Sequence, residues 1–313
     1  MRRKTLPALL LAVCLLLSGC SGSAEPWKGG IPQRQLDAAR DPDFVPYEAP
    51  PFAESAYHPE LAEGNAAARV DLSAVGEGYV AVSAVSSKRL KFQVIKDENT
   101  YNYDLASDGT PAVFPLQCGD GSYTFRVMEN VSDNKYAPLY TTECRVTLLD
   151  EFQPFLRPSA YVSYSAESAC IKKAAELAAG CEDKLDVVRA VYRCICGGVS
   201  YDREKAQTVR SGYLPNPDDT LTTGKGICFD YAALTAAMLR SQGIPTKLIT
   251  GYVAPNDLYH AWNMFYTEET GWITVKFEVS ADEWNRLDLT FSANGADAAF
   301  IGDGSNYADV YCY

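Results

Sequence analysis

The hydrophobic pattern of this 313-residue chain changes from period two to helical spacing near residue 154, and that change limits what it can fold into. Between about residues 66 and 152 the pattern has period two, in runs such as Tyr79-Val80-Ala81-Val82, Leu90-Lys91-Phe92-Gln93-Val94 and Tyr123-Thr124-Phe125-Arg126-Val127, with Gly and Asn/Asp turns between them. After Pro154 and Pro158 the spacing becomes helical over 166–179 and over 183–195, the second carrying Leu185, Val188, Ala190, Val191 and Ile195. A small all-β unit at 66–152 followed by an α+β unit at 153–313 is the expectation. With 47% hydrophobic and 22% charged residues the chain can bury a sizeable core, which excludes a collagen-like or wholly disordered chain.

Several short strands at that spacing favour an immunoglobulin-like sandwich for the first unit, which shows no binding residues of its own and could simply space or dock the second. In the second unit a polar, Pro-containing loop is expected over 201–223. A third, amphipathic helix follows from Cys228 to about Gln242, stopped by Gly243 and Pro245. Strands are expected at 247–253, 260–266, 272–279 and 287–291, which makes this unit helices packed on a sheet.

The N-terminus reads as an address. Arg2, Arg3 and Lys4 precede an apolar stretch from Leu6 to Leu17 that is too short to span a bilayer as a stable helix. It ends in Leu17-Ser18-Gly19-Cys20, which resembles the lipobox of bacterial lipoproteins. That resemblance implies removal of residues 1–19, a diacylglycerol on Cys20, and a place in the bacterial cell envelope, outside the cytoplasm and held to a membrane by lipid. Residues 20–65, with Pro26, Pro32, Pro42, Pro46, Pro50, Pro51 and Pro59, read as a tether; Phe44, Tyr47, Phe52 and Tyr57 equally suit an ordered strap packed on the domains.

Loss of the signal takes three basic residues from a chain of net charge −12, so the remainder stands near −15. Such a surface repels polyanions, which argues against nucleic acid and anionic headgroups as partners of the folded part. Of ten cysteines, Cys14 leaves with the signal and Cys20 is the lipidation site, leaving eight. In an oxidising compartment they invite disulfides, Cys118 with Cys144 across neighbouring strands being one pairing. Cys194-Ile195-Cys196 lacks zinc-site spacing and a nearby histidine, so no metal is expected.

Chemistry concentrates in Gly224-Lys225-Gly226-Ile227-Cys228-Phe229-Asp230-Tyr231, a glycine-rich turn that delivers a cysteine to a helix start. Unpaired N–H groups and the positive helix end stabilise thiolate there, more so beside an imidazolium. The chain has two histidines, His58 in the Pro-rich segment and His260 in Tyr259-His260-Ala261-Trp262-Asn263 at the start of an apolar strand. Alternation could point His260 at the helix start with Ala261 facing away. A carboxylate on a neighbouring strand is needed to orient the imidazole; Asp288 fits and Glu278 is the local competitor.

Taken together, Gly226 to Ala232, Arg240-Ser241-Gln242-Gly243-Ile244-Pro245, Gly251-Tyr252, His260 to Asn263 and Leu287-Asp288-Leu289-Thr290-Phe291 resemble the transglutaminase-like superfamily over about 165–295. The resemblance implies a papain-like, transglutaminase-like core of helices on an antiparallel sheet and a Cys228–His260–Asp288 triad. It implies acyl-enzyme chemistry on peptide or protein amides, cell-wall peptides among them, without metal or cofactor. Many members carry the aspartate in a Trp-x-x-x-Asp-x-Thr setting; after Trp272 no aspartate stands there, and the match to Asp-x-Thr comes later, after Trp284. The N–H of Cys228 is the natural first oxyanion donor, and Tyr201 or Gln207 in the preceding loop is a candidate second. Tyr231 and Trp262 could line an acyl groove or pack in the core.

Overall fold

The computed structural model describes residues 44–253, 258–275 and 307–313. Its architecture is α+β: an all-β unit followed by helices packed on an antiparallel sheet.

The all-β unit is a sandwich. One sheet runs β1 (Glu63–Gly64), β2 (Ala68–Asp71), β3 (Tyr79–Ala84), β6 (Ala112–Pro115); the other runs β5 (Asn99–Leu105), β4 (Leu90–Lys96), β7 (Gly121–Ser132), β8 (Lys135–Val146). Alternation works as expected in β4 and β7, where Leu90, Phe92 and Val94 and Tyr123, Phe125 and Val127 are buried. Phe92 stacks on Phe125 at 6.1 Å and meets Phe114 at 4.8 Å, so aromatic rings from both sheets fill the centre. In β3 four consecutive residues from Tyr79 to Val82 are buried, because chain covers this strand on its second face: the Tyr79 hydroxyl accepts the Ala56 N–H.

That covering chain is residues 44–62, which form an ordered strap rather than a free tether. Tyr47 donates its N–H to Cys181 at 2.7 Å and its hydroxyl to Gln242 at 2.6 Å; Ser55 donates to the Pro158 carbonyl; Phe52 meets Tyr164 edge-on. Pro50 lies so close over Gly243 that an added Cβ there would come within 2.1 Å of its ring, so the helix stop and the strap require each other.

In the second unit α1 (Ala169–Ala178), α2 (Lys184–Gly198), α4 (Pro217–Thr223) and the sheet surround α5 (Cys228–Ser241). The sheet order is β13 (Gly271–Val275), β12 (Leu258–Thr267), β11 (Thr246–Val253), β14 (Tyr307–Cys312), every pairing antiparallel. Helix α5 is buried at every residue from Asp230 to Ser241, so it is not the amphipathic helix expected; Ala232-Ala233-Leu234-Thr235-Ala236-Ala237-Met238-Leu239 carries no polar face, and neighbours cover both sides. The expected loop at 201–223 holds two short helices, α3 (Arg203–Thr208) and α4, begun by Asp202 and Asn216, whose side chains accept N–H groups of the first turn, with Pro217 at the first helical position. Strand β14 was not anticipated. The strand expected at 287–291 lies outside the described residues.

One hydrophobic core runs through both units. At their junction Tyr101 and Tyr103 of β5 meet Tyr161, Tyr311 and Tyr313 with ring centroids 5.3–5.9 Å apart. Arg240, fully buried, donates to the carbonyls of Thr246, Arg157 and Tyr313, each at 2.9 Å, and so ties α5 to the inter-unit segment and to the end of the sheet. No disulfide joins the eight described cysteines. The suggested Cys118–Cys144 bond is therefore not formed: the Tyr101 hydroxyl engages the Cys118 thiol, while Cys144 stands opposite Tyr123 with Glu63 as its charged neighbour.

Replacing Arg240 with Met preserves apolar volume but removes three charge-assisted bonds to buried carbonyls. We expect Arg240→Met to lower unfolding free energy by about 3 kcal/mol, seen as a lower urea midpoint at unchanged slope; an unchanged midpoint would mean that the three segments are held together by packing alone.

Candidate active site

Cys228 is the first residue of α5 and its thiol is largely buried. The helix start is organised by Asp230, whose carboxylate has no solvent exposure and reaches back to accept the Ile227 N–H at 2.8 Å. The same carboxylate takes Lys205 Nζ at 2.7 Å and the Tyr213 hydroxyl at 2.5 Å. Burial works against the Lys205 ammonium, yet the bonds to Asp230 and Tyr213 hold its pKa above the ordinary value; burial and then Asp230 push the Tyr213 phenol up to about 12. Gly226 is required here because a Cβ would stand 2.7 Å from the Asp230 Cβ and 3.2 Å from Thr220 Cγ2.

This arrangement changes the expected electrostatics of the cysteine. Burial, the largest cause, pushes the Cys228 thiol above its ordinary pKa; N–H groups of Ala261 and Phe229 directed at the sulfur pull it down, and the Asp230 charge raises it again. The positive helix end is already met by a buried carboxylate, so the helix alone does not supply a thiolate.

His260 lies on β12 opposite Gly251 of β11 and lines, with Cys228, a cavity of about 620 Å³. Ala261 and Phe265 join the core around α5, and Asn263 donates its side-chain amide to Ala232 at 3.0 Å; His260 and Trp262 occupy the alternate positions, their rings 6.5 Å apart and nearly parallel. The Ala261 N–H nevertheless meets the Cys228 sulfur, so histidine and cysteine are coupled through the backbone of one strand residue.

Tyr201 is carried to the site by a two-stranded parallel pairing of β9 (Ser200–Tyr201) with β10 (Lys225–Gly226), in which Tyr201 aligns with Gly226. It lines the cavity, and burial, then the Cys228 and Asp230 charges, keep its phenol protonated above the ordinary range, which leaves it a hydrogen-bond donor beside the sulfur. The other groove candidates are placed elsewhere. Gln207 is exposed on α3 and does not line the cavity; Tyr231 is buried and donates to the Val199 carbonyl at 2.8 Å; Trp262 is buried behind His260. Asp288 and Glu278 lie outside the described residues, as does Cys20.

Three contributors are not marked in the sequence. Lys205 and Tyr213 sit in the segment read as polar loop, and nothing local marks them as partners of Asp230. Asp104 comes from β5 of the sandwich, a unit read as having no binding residues, and lines the same cavity while paired with Lys91 at 2.8 Å.

A cysteine at a helix start and a strand histidine thus line one cavity. Residues 171–277 match the model of the transglutaminase-like superfamily. Its relatives include the uncharacterized protein ML0607 of Mycobacterium leprae, 27% identical over 53% of this chain and 55% of that protein. The kyphoscoliosis peptidase of Homo sapiens is 29% identical over 47% of this chain and 22% of its own length. A protein-glutamine gamma-glutamyltransferase of Pseudomonas aeruginosa is 31% identical over 30% of this chain and 15% of its own. The chain thus spans about half of the first relative and less than a quarter of the other two.

Asp230→Ala would leave the buried Ile227 N–H without an acceptor, whereas Asp230→Asn keeps a carbonyl oxygen for it. We expect losses of about 3 kcal/mol for the alanine and about 1 kcal/mol for the asparagine, read from urea unfolding; equal losses would show that the negative charge, rather than the N–H bond, matters.

Proposed function

We propose that this protein is an envelope-anchored thiol enzyme that cleaves peptide or protein amide bonds through an acyl-enzyme. The observation that carries this reading is the shared cavity: the Cys228 sulfur, met by the Ala261 N–H, opens onto the same space as His260. Burial keeps an isolated Cys228 protonated near neutrality, so His260 must accept its proton for attack to occur, forming a thiolate–imidazolium pair. The sulfur then adds to the amide carbonyl, the N–H of Cys228 and the Tyr201 hydroxyl stabilise the oxyanion, and the imidazolium gives its proton to the leaving amine. Water attacks the thioester with His260 as base, releasing a carboxylic acid and free thiol. Asp288 is the proposed third member that orients His260.

Hydrolysis is the reaction we favour. The name of one relative, a gamma-glutamyltransferase, motivates the second reading, in which an amine replaces water at the thioester. Products separate the two, since a lysine donor would leave a stable isopeptide bond whereas water leaves only new carboxylates. A third reading, a non-catalytic assembly lipoprotein, requires that Cys228→Ala leave the cellular role untouched.

Alkylation by limiting iodoacetamide across pH 4–10, with adducts located by mass spectrometry, tests the activation. In the full chain Cys228 should react first, with a midpoint below the ordinary thiol value of about 8.5. In His260→Ala, where burial acts unopposed by an imidazolium, the midpoint should rise above that value. A Cys228 no more reactive than the other thiols, or indifferent to His260, would end the catalytic reading.

The anchoring is tested separately. Cys20→Ser should move the protein from the membrane to the soluble fraction of a bacterial host, and intact-mass measurement of the wild type should show a diacylglycerol on a chain beginning at Cys20. Membrane retention of Cys20→Ser would refute lipid attachment there.

A further inference from the structure

Large apolar side chains exposed to solvent gather at the mouth of the cavity that holds Cys228. Val209 is 37% exposed, Leu214 46% and Tyr259 52%, and all three line it; Tyr252, 44% exposed, packs edge-on against Tyr259 at 5.3 Å. The other exposed large apolar residues among those described belong to the strap, the sandwich and the segment joining the units. Grouped exposed apolar side chains around a concave site mark a place where another molecule is buried.

The rim is held in place relative to the nucleophile. Val209 and Leu214 lie in the short segment between α3 and α4, where the Tyr213 hydroxyl is fixed on Asp230, the carboxylate that also caps the helix beginning at Cys228. Opposite them, Tyr259 precedes His260 on β12, with its hydroxyl donated to Thr250 at 2.9 Å. The apolar walls and the two reacting side chains therefore belong to the same hydrogen-bonded framework.

From this we infer that the mouth of the cavity is a subsite for a bulky apolar side chain of a polypeptide, lying one or two residues from the amide that Cys228 attacks. The inference rests on the proposed catalytic reading and narrows its substrate to polypeptide chains with such a residue. Cell-wall stem peptides, built from small and charged residues, have nothing to bury between Val209, Leu214 and Tyr259.

Acetylated tripeptide vinyl methyl sulfones test it on the full chain in detergent. The Cys228 sulfur adds to the vinyl carbon, the proton passes to the neighbouring carbon, and no group leaves, so the adduct counts capture events at one site. The probes are Leu-Ala-Gly, Ala-Leu-Gly, Ala-Lys-Gly and Ala-Ala-Gly. At least one leucine probe should label Cys228 on the order of tenfold faster than the alanine and lysine probes. That ratio should fall toward one in the Val209→Ser, Leu214→Ser double variant and persist in Val85→Ser, Val131→Ser on the sandwich. Because the readout is a ratio between probes, a general change in thiol reactivity cancels. Equal rates for all four probes, or a leucine preference that survives at the rim variant, would overturn the subsite while leaving an iodoacetamide-reactive Cys228 intact. Cys228 unreactive to iodoacetamide as well would overturn both the subsite and the catalytic reading.

Discussion

Helix α5 has no solvent face, and the bond from the Ile227 N–H to the Asp230 carboxylate is the constraint on which the site depends. A helix that starts inside a protein cannot leave its first N–H groups to water, so the protein must provide an acceptor. The acceptor chosen is a charge, and a buried charge in turn needs partners. Lys205 and Tyr213 are those partners, which explains why the segment before the cysteine folds into short capped helices instead of remaining a loop. Gly226 follows from the same crowding.

This solution has a chemical consequence. A carboxylate two residues from the cysteine offsets the helix end that would otherwise favour thiolate, and burial, the larger cause, adds to the effect, so the thiol rests above its ordinary pKa. Asp230 stabilises the fold at a helix N-terminus that could otherwise have activated the thiol, and in the proposed reading activation falls to His260, which lines the same cavity. The backbone N–H groups of Ala261 and Phe229 are the contribution that favours negative charge on the sulfur.

The sandwich is part of the same body as the helical unit. A tyrosine cluster spans the junction, Arg240 links α5 to the inter-unit segment and to Tyr313, the strap crosses from Cys181 and Gln242 to Tyr79, and Asp104 reaches the cavity wall. Tyr313 itself lines the cavity, so the end of the sheet, the buried arginine and the sandwich all bear on the shape of one site.

Sequence by itself determined an all-β region followed by helices and a sheet, because period two and period 3.6 are local properties of side-chain direction, and it singled out Cys228 and His260 as candidates, because few residues can perform such chemistry and the chain has only two histidines. Asp202, Asn216 and Pro217 are helix-start signals in the sequence, but the same polarity equally suits a loop, and their helices are only six and seven residues long. Tertiary structure alone decided the rest. Which face of β12 meets α5 is set by the pairing of β11 with β12 and by Asn263 on Ala232, and a shift of one residue would reverse it. Strand β14 exists only because β11 offers an edge to pair with, and Lys205, Tyr213 and Asp104 acquire a role only when segments distant in the chain converge on a buried carboxylate and a shared cavity. Periodicity reports where a side chain points, but the partner it meets depends on contacts between residues far apart in sequence, which no local pattern encodes.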